Sequence, residues 1–345
     1  MAESAYVGAA MKALVVAPGG LEVSEVADPH AEPDGVVVEV HSCGICGSDV
    51  HWVEIGRGAS GHILGHEFAG TIAEVGSKVD GWRPGQPVAV NPLGGCGACH
   101  VCRRGVPFLC ERLPNLGLTA PGGFAEFVAV PEKQLVALPD GLDLELGAHA
   151  EPLAVALHAI ALAEPSPGDD ALVFGVGPIG LNVIGALRAA GAGKIVAVGR
   201  SEGRRSAAAA LGADVVLDSR ETSLAEYARA NGVAFAQAFE CSAAPEAVAD
   251  CASVLAVGGT LVEVALPDAP PAVPVRSFVT RSLRLVGSCA YGPEEYRRAV
   301  QLLSRGELDV RPLVSERVPL SGAPDAFRRL RRPENLVGVL VQPWL

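Results

Sequence analysis

The sequence predicts an α/β protein of two domains, one of them built on a doubly wound parallel sheet. Three observations lead to this prediction. The chain has 345 residues, which is long enough for two domains with their own cores. An apolar strand near the middle of the chain runs directly into a glycine-rich turn and an apolar helix. Short strands separated by glycine and proline turns dominate residues 11 to about 155.

The strand and turn near the middle of the chain have the pattern of a dinucleotide-binding βαβ unit. Residues 171–174 are apolar, and a G-x-G-x-x-G turn follows them. The turn consists of Gly175, Val176, Gly177, Pro178, Ile179 and Gly180. Its glycines let a pyrophosphate approach the backbone at a helix N-terminus, where unpaired N–H groups favour negative charge. A second strand at 194–198, and later strands at 260–264 and 283–288, indicate a continuing sheet rather than a packing turn.

The end of the second strand bears on the choice of cofactor. An NAD site commonly has an acidic residue there for the ribose 2′-OH, whereas this chain has Gly199 followed by Arg200 and, further on, Arg204. Glycine leaves room for a 2′-phosphate and the two guanidinium groups can bind it, so the sequence favours NADP. The alternative is that these arginines only solvate the helix at 204–211 and that the cofactor is NAD.

Four cysteines in a glycine-rich loop form a C-x2-C-x2-C-x7-C run. They are Cys96, Cys99, Cys102 and Cys110. Four thiolates complete a tetrahedral shell, which is typical of a structural Zn²⁺ that stabilises a lobe. Free thiols, two disulfides or an iron–sulfur cluster are the alternatives, although the chain lacks the C-x3-C-P continuation found in ferredoxins. His100 lies among these cysteines and is expected at the surface, because four sulfurs already fill the shell.

A second set of ligand-type residues is dispersed along the chain. Cys46, His66, Glu67 and Glu151 supply sulfur, nitrogen and oxygen donors. Such a mixed set suits a catalytic zinc, which takes three protein ligands and keeps one position open. Taken singly, each residue has a simpler explanation as a buried cysteine, a core histidine or a surface carboxylate.

Together these segments resemble the zinc-dependent medium-chain dehydrogenase/reductase family, which includes alcohol, polyol and threonine dehydrogenases. The resemblance extends from Met11 through the Gly65-His66-Glu67 segment, the four cysteines, residues 122–126 and the glycine-rich turn to Gly287-Ser288. It implies a mainly β, GroES-like catalytic domain from residues 11–155 and 290–345, and a Rossmann domain from 156–289.

The resemblance also implies roles for individual residues. Cys46 and His66 would bind the catalytic zinc, with either Glu67 or Glu151 as the third ligand; the Glu-Pro-Leu segment at Glu151 is similar to the polyol branch. With the four-cysteine site this makes two Zn²⁺ per chain. Ser48 and then His51 would carry the substrate proton to solvent. The residues expected to face the nicotinamide are Ala265, Leu266 and Ser288.

Composition and charge restrict the partners. Acidic residues exceed basic ones, 39 to 27, which argues against nucleic acid, and apolar runs are too short for a membrane helix. Residues 1–10 are expected to be a disordered extension of a cytoplasmic protein. We expect a homodimer or homotetramer that oxidises an alcohol or polyol to the ketone, or the reverse. The alternatives are an NAD-linked polyol or threonine dehydrogenase and, less favoured, a non-catalytic member of the family.

Overall fold

The computed structural model describes residues 10–56, 58–112, 115–331 and 336–345. Most of the expected extension at residues 1–10 therefore lies outside the described residues. The strands are β1 Met11–Ala17, β2 Gly20–Val26, β3 Gly35–Gly44, β4 Glu67–Val75, β5 Pro87–Val90, β6 Phe127–Pro131, β7 Leu135–Ala137, β8 Ala171–Phe174, β9 Ile195–Gly199, β10 Val215–Asp218, β11 Phe235–Glu240, β12 Leu255–Glu263, β13 Arg284–Gly287, β14 Val314–Val318 and β15 Gly338–Val341.

The helices are concentrated after residue 140. They are α1 Gly47–Glu54, α2 His100–Arg103, α3 Leu144–Ala148, α4 Ala150–Ala163, α5 Pro178–Ala189, α6 Glu202–Ala210, α7 Leu224–Asn231, α8 Ala247–Val254, α9 Val275–Arg281, α10 Pro293–Ser304 and α11 Ala323–Leu330. In the part of the chain that the structure describes, no helix is both long and apolar enough to cross a bilayer.

Six parallel strands form the doubly wound sheet, in the order β10-β9-β8-β11-β12-β13. Successive residues of these strands pack on opposite faces. Leu172 joins one buried cluster, whereas Val173 joins the cluster on the other face, together with α4 and α5. Strand order reverses between β8 and β11, and a cleft at such a point, beyond the carboxyl ends of the strands, is where doubly wound sheets bind their ligands.

A seven-stranded mixed sheet accompanies it, in the order β14-β15-β3-β4-β5-β7, with β6 also paired to β3. β14 and β15 come from the end of the chain, and β15 lies antiparallel to β3. Its core contains Val36, Val38 and Phe68, all fully buried. The carboxyl end of β3 and the start of β4 therefore lie side by side, which brings Gly44 opposite Glu67. The predicted fold class, a mainly β part plus a doubly wound sheet, is confirmed by this topology.

Candidate active site

Cys46 lies where β3 runs into α1. It is the N-cap residue of α1, with extended backbone angles, and its side chain faces the open N-terminal turn. The backbone N–H of Cys46 donates to Asp49 Oδ2 at 3.0 Å. This reciprocal cap fixes the orientation of the first turn, so the thiol has a defined direction.

Asp49 and His66 form a buried pair beside Cys46. Asp49 Oδ1 lies 3.4 Å from His66 Nδ1, and Asp49 is fully buried. Burial lowers the pKa of His66, but the Asp49 carboxylate and the Cys46 sulfur outweigh it and hold this pKa well above its ordinary value. With Nδ1 facing Asp49, Nε2 is the nitrogen that can bind a metal. A carboxylate behind a ligating histidine is a common arrangement at zinc sites.

Glu67 brings a carboxylate to the same place. Cys46, His66 and Glu67 each offer a donor atom, and the three donors lie within 4.8 Å of one another. Burial and the nearby Glu151 raise the pKa of Glu67 to about 8. Gly44 is required here, because a Cβ at that position would lie 2.2 Å from Glu67 Oε2.

Glu151 is near this group but is not part of it. It lies in the first turn of α4 and is 7% exposed. Burial raises the pKa of Glu151, while His66 and the neighbouring Tyr291 hydroxyl act against this rise. Tyr291 is itself buried. The structure thus groups Glu67, and not Glu151, with Cys46 and His66.

The charges of this cluster fit a divalent cation. Cys46, Asp49, Glu67 and Glu151 are acidic groups that interact through a buried space, and His66 is the base among them. Ionised together without a cation they would repel one another strongly. A thiolate, an imidazole and a carboxylate within a few ångströms form a donor set suited to zinc with a fourth position open.

The four-cysteine loop fits a closed tetrahedral site. Cys96, Cys99, Cys102 and Cys110 have sulfurs within 4.8 Å of one another, with Cys96 Sγ to Cys102 Sγ at 3.9 Å and Cys99 Sγ to Cys110 Sγ at 3.8 Å. Tetrahedral Zn–S bonds of about 2.3 Å require sulfurs about 3.8 Å apart, whereas a disulfide requires about 2.05 Å. The disulfide alternative is therefore wrong: none of the nine cysteines is disulfide-bonded. As expected, His100 is exposed.

We expect Cys99→Ser to remove this ion and destabilise the chain. Zinc content should fall from two to one per chain, and the Tm should fall by at least about 5 °C, because binding at a closed site contributes folding free energy. The purified variant should keep turnover. Metal analysis and thermal unfolding check this, with His100→Ala as a control that should keep both ions. Complete loss of activity at unchanged Tm would contradict a structural role.

A cavity of about 490 Å³ opens in front of the mixed ligand set. Cys46, Ser48, His51 and Glu67 line it from one side, and both Ser48 and His51 are half-buried. The apolar part of its wall includes Trp52, Ile179, Leu266, Leu313, Val314, Val339 and Leu340. The two residues predicted to carry the proton therefore lie in the same cavity as the ligand set.

The glycine-rich turn has the predicted form. Gly177 is the N-cap of α5 and Pro178 its first residue. Gly175 has φ +101°, and a Cβ on Gly180 would lie 1.9 Å from the Gly175 carbonyl oxygen, so side chains are excluded at both positions. Apart from its chain neighbours, nothing in the described part of the chain lies within 4 Å of the Cβ position of Gly177, which leaves open space for a phosphate at the helix N-terminus.

A larger cavity, of about 790 Å³, extends from this turn towards the end of β9. Gly199 lines this cavity. A packing contact, which the sequence did not reveal, explains why this position has no side chain. A Cβ at residue 199 would lie 2.1 Å from Val176 Cγ2. The space that an acidic residue would take at this position is therefore occupied by Val176.

Three arginines line the far end of this cavity, two that the sequence predicted and one that it did not. Arg200 is two-thirds exposed and lies 3.5 Å from Glu246. Arg204 is anchored through Nε to the Leu336 carbonyl oxygen at 2.9 Å. Arg220, which we did not predict, donates to the Arg200 carbonyl oxygen at 2.8 Å and pairs with the buried Asp218.

Three further residues were expected at the nicotinamide. Leu266 lines the smaller cavity, as expected. Ala265 and Ser288 are half-buried and line neither of the two cavities. The Ser288 N–H donates to the Glu263 carbonyl oxygen at 2.8 Å, so this residue ties β13 to β12.

Comparison with known proteins identifies the family. Residues 32–140 match the alcohol dehydrogenase GroES-like domain, and residues 178–305 match the zinc-binding dehydrogenase family. Two curated relatives cover most of the chain. A probable D-xylulose reductase A of Aspergillus fumigatus is 34% identical over 91% of this chain and 90% of the relative. An L-threonine 3-dehydrogenase of Rhizobium etli is 33% identical over 97% of this chain and 99% of the relative.

Two solved structures are similar to this chain over nearly its whole length. The 2R,3R-butanediol dehydrogenase of Bacillus subtilis has a TM-score of 0.88 and 32% identity, covering 96% of this chain and 99% of its own. A protein of Sinorhizobium meliloti 1021, solved bound to NADP, has a TM-score of 0.89 and 32% identity, covering 97% and 100%. The chain belongs to the zinc-binding dehydrogenases with a GroES-like domain, and it is an alcohol or polyol dehydrogenase.

Proposed function

We propose that this chain is a zinc- and NADP-dependent dehydrogenase that interconverts an uncharged secondary alcohol or polyol and its ketone. One observation carries the proposal: the donor atoms of Cys46, His66 and Glu67 lie within 4.8 Å of one another, and Cys46 and Glu67 line a cavity that also reaches the start of α5. Substrate, metal ligands and nicotinamide site can therefore meet in one space. Glu67 is the proposed third zinc ligand, and Glu151 lies near it outside the ligand group.

The residues around this cavity have separate parts in the proposed reaction. When bound, zinc polarises the substrate oxygen and the nicotinamide exchanges hydride with the substrate carbon. Asp49 holds His66 in one orientation and caps Cys46, so two ligands keep their geometry through turnover. Ser48 accepts the proton of the substrate hydroxyl as it gives up its own, and His51, half-buried in the same cavity, passes the proton on.

The arginines support NADP as the cofactor. Arg200, Arg204 and Arg220 bring three guanidinium groups to the cavity that begins at the glycine-rich turn. A 2′-phosphate is bound well by such groups, since each charge-assisted hydrogen bond contributes about 1.5–3 kcal/mol. The NADP-bound neighbour agrees with this choice. An NAD-linked polyol or threonine dehydrogenase is the second candidate, favoured by the threonine dehydrogenase relative.

The cavity wall supports an uncharged substrate. Among the described residues that line it there is no lysine or arginine, whereas Glu67 and Asp268 are acidic. The Cys46 thiolate and the Glu67 carboxylate already balance the charge of a bound Zn²⁺, so an anionic group buried there would lack a protein counter-charge.

We therefore expect 1,3-butanediol to exceed 3-hydroxybutanoate in kcat/KM by about tenfold or more. The two compounds differ only in a terminal CH2OH or carboxylate, and desolvating an unpaired carboxylate costs at least about 1.4 kcal/mol, a factor of ten. Nicotinamide absorbance with NADP measures both, and 2,3-butanediol, xylitol and L-threonine extend the series. Turnover of 3-hydroxybutanoate or L-threonine at the rate of the diols would refute an uncharged substrate; no turnover of any alcohol would refute the function.

The remaining features of the molecule agree with a two-domain, self-associating enzyme. The proposed domains are residues 11–155 with 290–345, and residues 156–289; the return of β14 and β15 to the mixed sheet supports this division.

A second copy of this chain is the proposed partner. β13 is an edge strand and exposes Leu285, and Val275 and Val279 of α9 are exposed nearby in sequence. Four thiolates at one site need a reducing compartment, which supports the cytoplasm.

A further inference from the structure

Two glutamates end neighbouring strands at the edge of the parallel sheet beside the dinucleotide cavity. Glu240 is the last residue of β11 and Glu263 the last of β12, and the two are partners in the strand register. Glu240 is 1% exposed, and Glu263 is half-buried. Neither takes part in the zinc or hydride chemistry proposed above. Two adjacent carboxylates in such a position repel each other unless one of them holds a proton.

Glu240 accepts hydrogen bonds from the loop that follows it. Its Oε1 accepts hydrogen bonds from the Ser242 N–H at 2.7 Å and from the Ser242 hydroxyl, and its Oε2 accepts from the Ala243 N–H at 3.1 Å. All three of these partners donate to it. A carboxylate that accepts several hydrogen bonds is stabilised in its charged form.

Glu263 is the protonated member. Its Oε2 is buried and has no hydrogen-bond partner among the described residues, which is costly for an ionised oxygen. Burial and the adjacent Glu240 raise the pKa of Glu263 to about 8. A proton on Glu263 gives it a hydrogen bond to donate to Glu240 and removes the repulsion between the two groups.

The loop that Glu240 closes forms part of the cofactor cavity. Cys241, Ser242, Ala244 and Pro245 line this cavity. Ala243 has φ +57°, a backbone conformation that alanine rarely adopts and that the hydrogen bonds to Glu240 hold in place. The loop also packs against the glycine-rich turn, since a Cβ on Gly175 would lie 2.8 Å from atoms of Cys241 and Ser242.

We propose that Glu240 and Glu263 share one proton and act as a positioning pair that holds the 241–245 loop in the shape that binds the dinucleotide. When this shared proton is lost, both carboxylates are negatively charged beneath the 241–245 loop. The negative charge of the bound pyrophosphate then adds to their repulsion. The inference rests on dinucleotide binding at this cavity and does not depend on whether the cofactor is NADP or NAD.

Other titratable groups near the pair do not produce the same pH dependence. Cys241 follows Glu240, and Cys251 faces the pair from α8; burial raises the pKa of both thiols well above its ordinary value. They therefore stay protonated between pH 7 and 9. Asp250 on α8 is exposed, and partial burial and the neighbouring Glu246 raise its pKa. Glu246 lies 3.5 Å from Arg200. Both carboxyls are unchanged when Glu263 is substituted, so any effect of theirs remains in such a variant.

The test is the affinity of the zinc-loaded enzyme for ADP-ribose between pH 7 and 9. ADP-ribose carries the pyrophosphate common to both cofactors, and its two phosphate charges do not change over this range. For the parent, the dissociation constant should rise about tenfold from pH 7 to pH 9, since only about a tenth of Glu263 is still protonated one unit above its pKa. Glu263→Gln keeps a hydrogen-bond donor and should show less than a twofold rise.

Controls separate this pair from general effects of charge or folding. Glu226→Gln changes an exposed carboxylate on α7 and should keep the tenfold rise. Glu263→Leu provides a second variant without the acid and should also bind independently of pH. A parent whose affinity does not change with pH, or a Glu263→Gln variant that retains the rise, would overturn the proposal. Because binding is measured without substrate, either result leaves the proposed dehydrogenase function standing.

Discussion

Cys46→Ser should abolish hydride transfer while leaving the fold intact. We expect kcat/KM to fall by about 10³-fold or more, because loss of the thiolate removes the Lewis acid, whose stabilisation of the transition state amounts to several kcal/mol. Zinc content should fall from two ions to one. The Tm should change little, since the four-cysteine site is untouched. Metal analysis, thermal unfolding and NADP-dependent alcohol oxidation measure these three quantities on the same preparation.

Cys43→Ala is the matched control. Cys43 precedes Cys46 by three residues and is fully buried, with its Sγ near the Gly44 carbonyl oxygen at 3.7 Å. Because this thiol packs in the core and is not in the ligand group, its loss should leave two zinc ions and activity within a few-fold of the parent. Full activity and two zinc ions in Cys46→Ser would contradict the assignment, as would loss of the second zinc in Cys43→Ala.

The sequence predicted the strands and the glycine-rich turn well because these depend on local sequence patterns. The strand at 171–174 and the turn after it are found where the pattern indicated. The observed ends of helices and strands differ from the predicted ones where a helix cap or a glycine pair determines them. Ser201 accepts from the Arg204 N–H and starts α6 at Glu202, two residues before the expected start. β12 begins at Leu255, five residues before the strand expected at 260–264, and runs through the Gly258-Gly259 pair.

Residues that act through distant partners could not be predicted in the same way. Arg220 reaches the Arg200 carbonyl only because β9 and β10 are in register, with Gly199 opposite Asp218. Tyr291 contacts Glu151 across the tertiary structure. Asp49 is different, because an acidic residue three positions after the cap residue of a helix is a known capping signal and could have been recognised.

A substitution of Gly199 that tests the preference for NADP must also relieve the close contact between residue 199 and Val176. An aspartate there would overlap Val176 Cγ2, so Gly199→Asp alone would distort the glycine-rich turn and lower activity with both cofactors. Val176→Ala with Gly199→Asp removes the obstruction. The double variant should then accept a hydrogen bond from the ribose 2′-OH and repel a 2′-phosphate, which reverses the preference from NADP to NAD. Val176→Ala alone is its control and should keep the parental preference.

The arginines should account for the size of the preference. The parent should favour NADP over NAD by about a hundredfold or more in kcat/KM, since two charge-assisted contacts contribute about 1.5–3 kcal/mol each. Arg200→Ala and Arg220→Ala should each lower kcat/KM for NADP by about tenfold and leave that for NAD within a few-fold, whereas Arg229→Ala, an exposed arginine on α7, should change neither. A parent that prefers NAD, or an unchanged cofactor ratio in both Arg200→Ala and Arg220→Ala, would show that these guanidinium groups solvate the surface and bind no phosphate.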